Sequence, residues 1–291
     1  MGANGRAREA FTGYLYLTPA LVVLGAFFVY PFVKIVEWSL YSQTGVFTHK
    51  RDVFVGVSRW GEVLGGRQFT NALGNTALLV AYTVPTGLVL GTVLAVVAHR
   101  RLRGIRFFQT VFSSTVATSV AVASVVFYAL VNPEIGYFRN VGWLSWLNTG
   151  NPHSALAAVS VSIIWQNLGL TFVIVLAGLQ AIPDELTEAA TLDGYGAVRR
   201  FFKMTVPLLS PTLMFLAVVL VVFGLQSYAQ IDIMTKGGPQ GATDTLVYRI
   251  VSLEFDDPTS AAGMALGLFG VTFFVTIAQY LILERRVTYA Q

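Results

Sequence analysis

The chain of 291 residues is 55% hydrophobic and only 12% charged, with a formal net charge of +4 at pH 7. A composition this apolar excludes a water-soluble globular protein and indicates an integral membrane protein. The chain contains no cysteine, which excludes disulfides, thiolate chemistry and cysteine-based metal sites.

Six segments are apolar enough and long enough to cross a hydrocarbon layer of roughly 30 Å. In chain order they are residues 14–33, 75–98, 107–131, 155–181, 208–230 and 262–283. The first follows two arginines, as a secretion signal would, but it is long, contains Pro19 and Pro31, and lacks a small-residue cleavage pattern. We therefore expect it to be retained as a membrane span.

The orientation of the spans follows from their flanking basic residues. Four arginines lie in the very short connection between the second and third segments: Arg100, Arg101, Arg103 and Arg106. Short loops rich in arginine stay in the cytoplasm, so both termini, the 182–207 loop, and Arg285 and Arg286 are predicted to be cytoplasmic. The longer loops at 34–74, 132–154 and 231–261 then face outside. Binding of anionic lipid is a second possible role for the arginines.

The 182–207 loop is a small polar element between two long apolar segments. Its first residues, Ile182-Pro183-Asp184-Glu185, are typical of a helix start, because proline needs no N–H there and acids favour the positive end of the helix dipole. One face of this short helix is flat and apolar, and a partner could approach it closely: Leu186, Ala189 and Ala190. Gly194 allows a turn. A second helical pattern follows, and Pro207 is predicted to end it.

The absence of Asp, Glu, Lys, Arg and His from the six segments limits the possible energy source. Proton-coupled transport, and hydrolysis or group transfer inside the membrane, require placed acids, bases or metal ligands. His49, His99 and His153 all lie outside the segments and share no spacing suited to a metal. The chain also has no Gly-rich phosphate-binding loop, so energy for uphill transport must come from another subunit.

Polar side chains within the segments form three sets. The third segment carries Ser113, Ser114, Thr115, Thr118, Ser119 and Ser124. The fourth carries Trp165, Gln166, Asn167 and Thr171, and the fifth carries Gln226, Ser227, Tyr228 and Gln230. For the first set we favour helix–helix packing. For the other two, packing and a solute pathway both remain open, because amides beside an aromatic ring are suited to binding polyols.

The spacing of the 182–207 loop carries a family resemblance. Glu188-Ala189-Ala190, three residues, Gly194, nine residues and then 204–207 (Met-Thr-Val-Pro) resemble the EAA loop of permease subunits in ATP-binding-cassette importers. Met204 and Val206 replace the usual isoleucine and leucine. Further landmarks at 16–20, 54–57, 177–183 and 234–239 are similar to the first membrane subunit of maltose and glycerol-3-phosphate type carbohydrate importers.

The resemblance implies an all-α membrane protein with six transmembrane helices and a cytoplasmic helix-turn-helix coupling loop, the type I importer permease fold. Residues 1–74 would form the N-terminal tail, first transmembrane helix and outer loop, and residues 75–291 a five-helix core. The residues that this resemblance assigns to ATPase coupling are Glu188, Ala189, Ala190, Asp193, Gly194, Arg200 and Pro207. The set for the solute pathway is Trp165, Gln166, Asn167, Gln226, Ser227, Tyr228 and Gln230.

The implied partners are a second permease subunit, two ATPase subunits that bind ATP and magnesium, an extracytoplasmic solute-binding protein and membrane lipid. We expect no nucleic acid, and no cofactor, metal or catalytic residue in this chain. The expected solute is a sugar, an oligosaccharide or a glycerol-phosphate-type compound such as sn-glycerol 3-phosphate or a glycerophosphodiester. The expected location is the cytoplasmic membrane of a bacterium or archaeon. The alternatives are a membrane enzyme or scaffold with an interfacial loop, and a passive pore.

Overall fold

The computed structural model describes residues 3–44, 51–99 and 104–284. Several residues that the sequence analysis used lie outside these ranges: His49, Arg100, Arg101, Arg103, Arg285 and Arg286. The orientation predicted from these arginines therefore stays a prediction.

The described part of the chain is mostly helical. The helices are α1 (Ala3–Leu24), α2 (Tyr30–Trp38), α3 (Ser58–Gly65), α4 (Arg67–His99), α5 (Ile105–Ser113), α6 (Val120–Val131), α7 (Ala155–Gln180), α8 (Asp184–Leu192), α9 (Ala197–Arg200), α10 (Val206–Leu225), α11 (Ala229–Met234), α12 (Leu246–Leu253) and α13 (Pro258–Glu284). Short 3₁₀ turns occupy Ser114–Ala117 and Tyr137–Asn140, and π turns occupy Gly25–Val29 and Phe201–Thr205. Two strands, β1 (Tyr41–Thr44) and β2 (Arg51–Phe54), form an antiparallel hairpin.

Among the described residues, five helical stretches are long and apolar enough to cross a membrane: Tyr14–Trp38, Arg67–His99, Ala155–Gln180, Ala197–Leu225 and Pro258–Ile282. A sixth span results if the pair Ile105–Ala117 and Val120–Val131 is counted as one, and this pair is bent by 105°. The third predicted segment is therefore not a straight helix. Its serines and threonines compete for backbone carbonyls, as Ser114 and Thr115 do at Val111 and Phe112, which weakens the helix before the bend.

Of the prolines that lie in continuous helix, Pro31 and Pro207 each lie just after a π turn. The Tyr30 N–H bonds to Gly25 O ahead of Pro31, and the Val206 N–H bonds to Phe201 O ahead of Pro207. A π turn widens the helix, so it can accommodate a proline ring that would otherwise clash with the carbonyl four residues earlier. The prediction that Pro207 ends its helix is therefore wrong, because the helix continues to Leu225.

The chain divides into two compact units, of which the first comprises Met1–Gly66 and Ile250–Gly267. Within it, Tyr41 pairs with Phe54 across the hairpin, and the two rings lie 5.4 Å apart in an edge-on arrangement. The Trp60 Nε1–H donates to Ser39 Oγ at 3.0 Å, which connects α3 to the end of α2. Arg59 Nη2 donates to Ser260 Oγ at 2.7 Å, so α3 also holds the first turn of α13.

The second unit comprises Arg67–Arg249 and Leu268–Gln291, and α7 is its central helix. One apolar cluster surrounds Val159 and Ile163 on α7, with Leu79, Phe127 and Ile231 from its neighbours. A second cluster packs Phe172 and Val175 of α7 against α4, α5 and α10. The burial of α7 on several sides explains why its sequence reads as hydrophobic all round, without an amphipathic stripe.

The membrane helices also differ from the predicted segments at their ends. The fifth segment was expected to reach residue 230, but α10 ends at Leu225 and α11 begins at Ala229. The second and last helices start earlier than expected, at Arg67 and Pro258. Polar residues at these ends lower the hydropathy without preventing helix formation, so hydropathy alone underestimates the helix length.

Candidate functional site

The 182–207 loop forms a helix, a tight turn and a second helix. Pro183 precedes α8 with extended backbone angles, and Asp184 and Glu185 occupy its first turn. At the other end, the N–H groups of Gly194 and Tyr195 bond to Thr191 O and Ala190 O at 3.1 and 3.0 Å. This pair of bonds is a Schellman motif, which requires a left-handed residue, and Gly194 has φ of 76°.

Two contacts connect the helices of the loop. Arg200 Nη1 donates to Thr191 Oγ1 at 2.9 Å, and the Thr191 hydroxyl in turn donates to Thr187 O at 2.8 Å. The Arg199 guanidinium lies 4.5 Å from the centre of the Tyr195 ring. These contacts hold α8 and α9 together across the turn. Arg200, one of the residues predicted for ATPase coupling, makes this hydrogen bond within the loop.

The outer surface of the loop is open. Glu188, Ala189, Asp193 and Gly194 are exposed, while Ala190 is half-buried. Glu188 has no ion pair or side-chain hydrogen bond with any residue that the structure describes. Apolar side chains are also exposed on these helices: Leu186 by 43%, Leu192 by 89%, Val198 by 73% and Phe202 by 64%. Exposed apolar side chains around an acid are typical of an interaction surface.

A second candidate site is a pocket of about 470 Å³ inside the second unit. Six of the seven residues predicted for the solute pathway line it: Gln166, Asn167, Gln226, Ser227, Tyr228 and Gln230. Val120, Ile163, Phe223 and Ala229 complete the lining. We refer to it as the amide pocket. The seventh residue, Trp165, does not line it, and its ring lies 5.6 Å from that of Phe127.

Two interruptions of helical structure lie beside the amide pocket. Thr118 and Ser119 are extended between the 3₁₀ turn and α6, with ψ of 128° and 140°. The second interruption is at residues 226–228, where Tyr228 has φ of −127° and ψ of −60°. Irregular backbone at membrane depth is tolerated where it is buried in protein or lines a cavity, and the amide pocket provides such a place.

The amide and phenol side chains of the amide pocket fall into two groups, while Ser227 Oγ donates to the Phe223 carbonyl of α10. Gln166 Nε2 donates to Thr118 O at 3.4 Å, and Gln230 Nε2 donates to Gln166 Oε1 at 3.2 Å. In contrast, the side chains of Asn167, Gln226 and Tyr228 make no hydrogen bond with the residues that the structure describes. Their donors and acceptors face a cavity whose lining contains no acidic or basic side chain.

The hydroxyl groups of the third segment mainly bond to their own helix. Ser114, Thr115 and Ser124 donate to carbonyls three or four residues earlier, at 2.7 to 3.0 Å. Thr115 also lies against Gly169 of α7, where an added Cβ would come within 2.1 Å of its Oγ1. This close approach agrees with helix packing as the role of these residues, and none of them lines the amide pocket.

The loop at 235–245 lies next to the amide pocket and is held by residues that sequence reasoning missed. Asn75 Nδ2 donates to Gly241 O and Asp244 O at 2.8 and 3.0 Å, and the Leu246 N–H donates to Thr76 Oγ1 at 2.9 Å. The Tyr248 ring stacks on Tyr228 with centres 6.2 Å apart. The sequence signal for these contacts was weak, because Asn75 and Thr76 read as polar residues at a span end.

The loop at 235–245 contains one acid, Asp244, and only 6% of its surface is exposed. Burial raises the pKa of the Asp244 carboxyl, and the hydrogen bond and charge of Arg249 oppose that shift. The pair is local to the loop and does not line the amide pocket. Its place between the loop and α12 indicates that it maintains the shape of this segment.

Comparison with known proteins gives the family. Residues 87–289 match the family of binding-protein-dependent transport system inner membrane components. The sn-glycerol-3-phosphate transport system permease protein UgpA of Yersinia pestis (bv. Antiqua, strain Antiqua) is 32% identical over 283 residues, 95% of each chain. The protein of the same name from Escherichia coli (strain UTI89 / UPEC) is 30% identical over 289 residues, 97% of each chain.

A solved structure gives the same fold. A chain of the bacterial alginate ABC transporter, in complex with its alginate pentasaccharide-bound periplasmic protein, matches with a TM-score of 0.80 over 99% of both chains, at 18% identity. The family match covers most of the sequence, and the two relatives cover nearly all of it. This multi-pass membrane protein therefore belongs to the inner membrane component family of binding-protein-dependent transport systems, as a permease of an ABC importer.

Proposed function

We propose that the 182–207 loop is the surface through which separate ATPase subunits drive this permease. The observation that carries the proposal is that the loop is held together internally, while Glu188 on its surface has no ion pair or side-chain hydrogen bond with any described residue. Its helices are fixed by the Schellman turn and the Arg200–Thr191 bond, whereas Glu188 and the apolar side chains around it are exposed. A rigid element transmits a push from a partner without deforming, which alternating access requires.

Within the loop, the proposed roles differ between residues. Glu188 would pair with a basic residue of the ATPase, Ala189 and Ala190 would allow close approach, and Asp193 would contribute a second exposed acid. Gly194 and Arg200 would maintain the shape of the loop, as their backbone angle and hydrogen bond support. Pro207, with its preceding π turn, would join the loop to α10 without a break in the helix.

We propose that the solute passes the amide pocket and that Asn167, Gln226 and Tyr228 contact its hydroxyl groups. The pocket offers neutral donors and acceptors and no charge, which suits a sugar or the glycerol part of a glycerol phosphate. The relatives are named for sn-glycerol 3-phosphate transport, and the structural neighbour for alginate. A phosphate group would need a cation or a helix N-terminus from outside this pocket.

The complete transporter would contain a second permease subunit, two ATPase subunits that bind ATP and magnesium, and an extracytoplasmic solute-binding protein. Both termini and the 182–207 loop would lie in the cytoplasm. Residues 1–74 would form a peripheral N-terminal part and residues 75–291 the five-helix core. In this assembly the chain itself would carry no catalytic residue and no cofactor.

The experiment is uptake by the complete transporter in proteoliposomes, together with co-purification of the ATPase. Glu188→Lys is expected to reduce both by more than tenfold, because it places like charges at a buried contact. Glu254→Lys is the matched control, since it makes the same charge change at an exposed acid elsewhere and should leave both unchanged. Normal ATPase retention by Glu188→Lys would contradict the coupling role, and flux without ATP would identify a passive pore.

A further inference from the structure

The two helix interruptions beside the amide pocket are connected by one side chain of α7. Gln166 Nε2 donates to the Thr118 carbonyl, at the interruption before α6. Gln166 Oε1 accepts from Gln230 in the first turn of α11, directly after the other interruption. No other side-chain hydrogen bond within the described part of the chain joins both interruptions to the same residue.

The chemistry of the groups determines which way the amides point. A backbone carbonyl can only accept, so Gln166 must turn its Nε2 toward Thr118. Its Oε1 is then directed to Gln230, which must supply the donor. Thr118 O needs this donor because α6 begins only at Val120, where the regular helical bonding starts again. Both bonds therefore satisfy groups that have few alternatives inside a membrane.

The remaining amides of the pocket are not engaged in this way. Asn167 and Gln226 face the cavity without side-chain hydrogen bonds to described residues, and so does the Tyr228 hydroxyl. A solute that used Gln166 would first have to break two bonds, whereas a solute that used Asn167, Gln226 or Tyr228 would break none. Gln166 and Asn167 are neighbours on α7 and both carry an amide, but only the amide of Asn167 is available to bind solute without first breaking hydrogen bonds.

We propose that Gln166 is a positioning residue that holds the two interruptions at a fixed separation. It thereby sets the width of the amide pocket between Val120, which follows the first interruption, and Gln230, which follows the second. This proposal rests on the proposed function, because it assigns a role within transport. It replaces the expectation that Gln166 and Gln230 bind solute with an internal role for both. The solute contacts remain with Asn167, Gln226 and Tyr228.

The two hydrogen bonds of Gln166 form a bridge between the interruptions. Loss of this bridge should affect the conformational step of transport more than solute binding. The elements on either side of the pocket have to move together when the permease changes its opening, and Gln166 is their common attachment. An unsatisfied carbonyl at Thr118 would destabilise the arrangement seen in this structure. The expected signature is a lower maximal uptake rate with little change in KM.

Gln166→Glu tests this role with almost no change in shape. An ionised carboxylate cannot donate to Thr118 O, but a protonated carboxyl can donate there and still accept from Gln230. Burial raises the pKa of a glutamate in such a place. We expect a maximal uptake rate about tenfold below wild type at about pH 8, which corresponds to one lost buried hydrogen bond. The ratio to wild type should recover toward about pH 5.5, with KM within about twofold throughout.

The pH dependence can be assigned to the introduced group. No Asp, Glu, His, Lys or Arg lines the amide pocket in the described part of the chain, so the introduced carboxyl is the group expected to titrate in this range. Gln166→Leu, which cannot donate at any pH, should show the same loss without recovery. Asn167→Ala, one residue along α7, should show the opposite behaviour, with KM raised about tenfold and the maximal rate retained.

Three results would overturn the proposal. An increase in KM at an unchanged maximal rate in Gln166→Glu would make Gln166 a solute contact. A loss that does not respond to pH would indicate damage to the fold, and normal uptake by both Gln166 variants would show that the bridge has no role. Yield and ATPase co-purification at both pH values separate misfolding from slow transport. Failure of wild-type uptake would instead refute the proposed function.

Discussion

Two glycines, one on α4 and one on α7, allow neighbouring elements to pack closely against α7. A Cβ at Gly91 of α4 would lie 2.4 Å from Thr171 Cγ2, and one at Gly169 would lie 2.8 Å from Phe112 O. Both distances are below 3.0 Å, a separation that real Cβ atoms essentially never show. Close packing around α7 therefore depends on glycine at these two positions, because any other residue would place a Cβ there. Small residues have this role in membrane helices generally, because close backbone approach increases dispersion contacts.

We expect Gly91→Ala to lower stability by about 1–3 kcal/mol, the usual cost of overpacking a core. Gly87→Ala, one turn earlier on the same helix, is the matched control, since its Cβ would lie 4.0 Å from Leu220 Cδ1. There, alanine should be neutral or stabilising by up to about 1 kcal/mol, because it favours helix more than glycine does. Thermal unfolding of the purified protein in detergent measures both. Equal midpoints for the two variants would contradict the packing argument.

At the scale of elements, the start of α13 depends on Asp257. Its Oδ1 accepts from the Ser260 N–H at 3.0 Å and from Thr259 Oγ1 at 2.7 Å, and its Oδ2 accepts from Ser260 Oγ at 2.5 Å. Burial acts to raise the pKa of Asp257, but these hydrogen bonds and the charge of Arg59 outweigh it, so the pKa lies below its ordinary value. The carboxylate is therefore the form that stabilises the folded protein.

A lowered pKa in the folded state makes this contribution depend on pH. It is fully present above the ordinary aspartate pKa of about 3.9 and is lost as the pH falls through the lower, folded-state pKa. We expect Asp257→Ala to cost about 1 kcal/mol near neutral pH, and Asp257→Asn to cost less, because asparagine also caps helices. Melting temperatures between about pH 3 and pH 6 provide the test.

The wild-type advantage over Asp257→Asn should shrink toward the acid end of this range. Glu254→Gln is a suitable control, because Glu254 is exposed and lies outside the cap. An advantage that grows as the pH falls would mean that the pKa of Asp257 is raised, and the account of the cap would then be wrong.

The elements also show what the sequence could and could not predict. The apolar segments and the polar clusters at 166–167 and 226–230 were recognisable, because hydropathy and residue type depend on local composition. The interruption at Thr118–Ser119 was not, since a run of β-branched and hydroxyl residues can be helical or extended, depending on what satisfies its carbonyls. Here the Gln166 amide does so, across 48 residues of sequence.

Pro207 is a second example of the same limitation. Proline usually ends a helix, and that rule predicted an end here. One additional residue in the π turn at Phe201–Thr205 removes the conflict, but such a turn has no clear sequence pattern. In contrast, the turn at Gly194 was predictable, because glycine is the residue that adopts a positive φ without strain.

At the scale of the whole molecule, apolar exposure marks the surfaces that lipid or other subunits cover. Among the described residues, none of the most hydrophobic stretch of Tyr14–Trp38 is buried, whereas 56% of the corresponding stretch of Ala155–Gln180 is buried. A helix this apolar is stable only against hydrocarbon or another apolar surface. The first helix is therefore expected to contact lipid or a second subunit along its length.

The orientation of the molecule in the membrane can be tested directly, because the chain has no cysteine and gives no background with thiol reagents. Single cysteines at Ser145 and Leu192 report on the 132–154 loop and on the 182–207 loop, and both positions are exposed. In intact spheroplasts, a membrane-impermeant maleimide should label Ser145→Cys and leave Leu192→Cys unlabelled. The arginine-rich connection predicts this pattern, since positive loops remain in the cytoplasm.

Inverted vesicles, washed with urea to remove any bound ATPase, should reverse the labelling. That reversal is the control for burial of the introduced cysteine itself. It shows that each cysteine does react with the maleimide when the reagent reaches its side of the membrane. Labelling of Leu192→Cys in intact spheroplasts would place the 182–207 loop outside, where ATP is absent. The coupling role of Glu188 would then be untenable, while the packing of α7 and the geometry of the amide pocket, which do not depend on orientation, would stand.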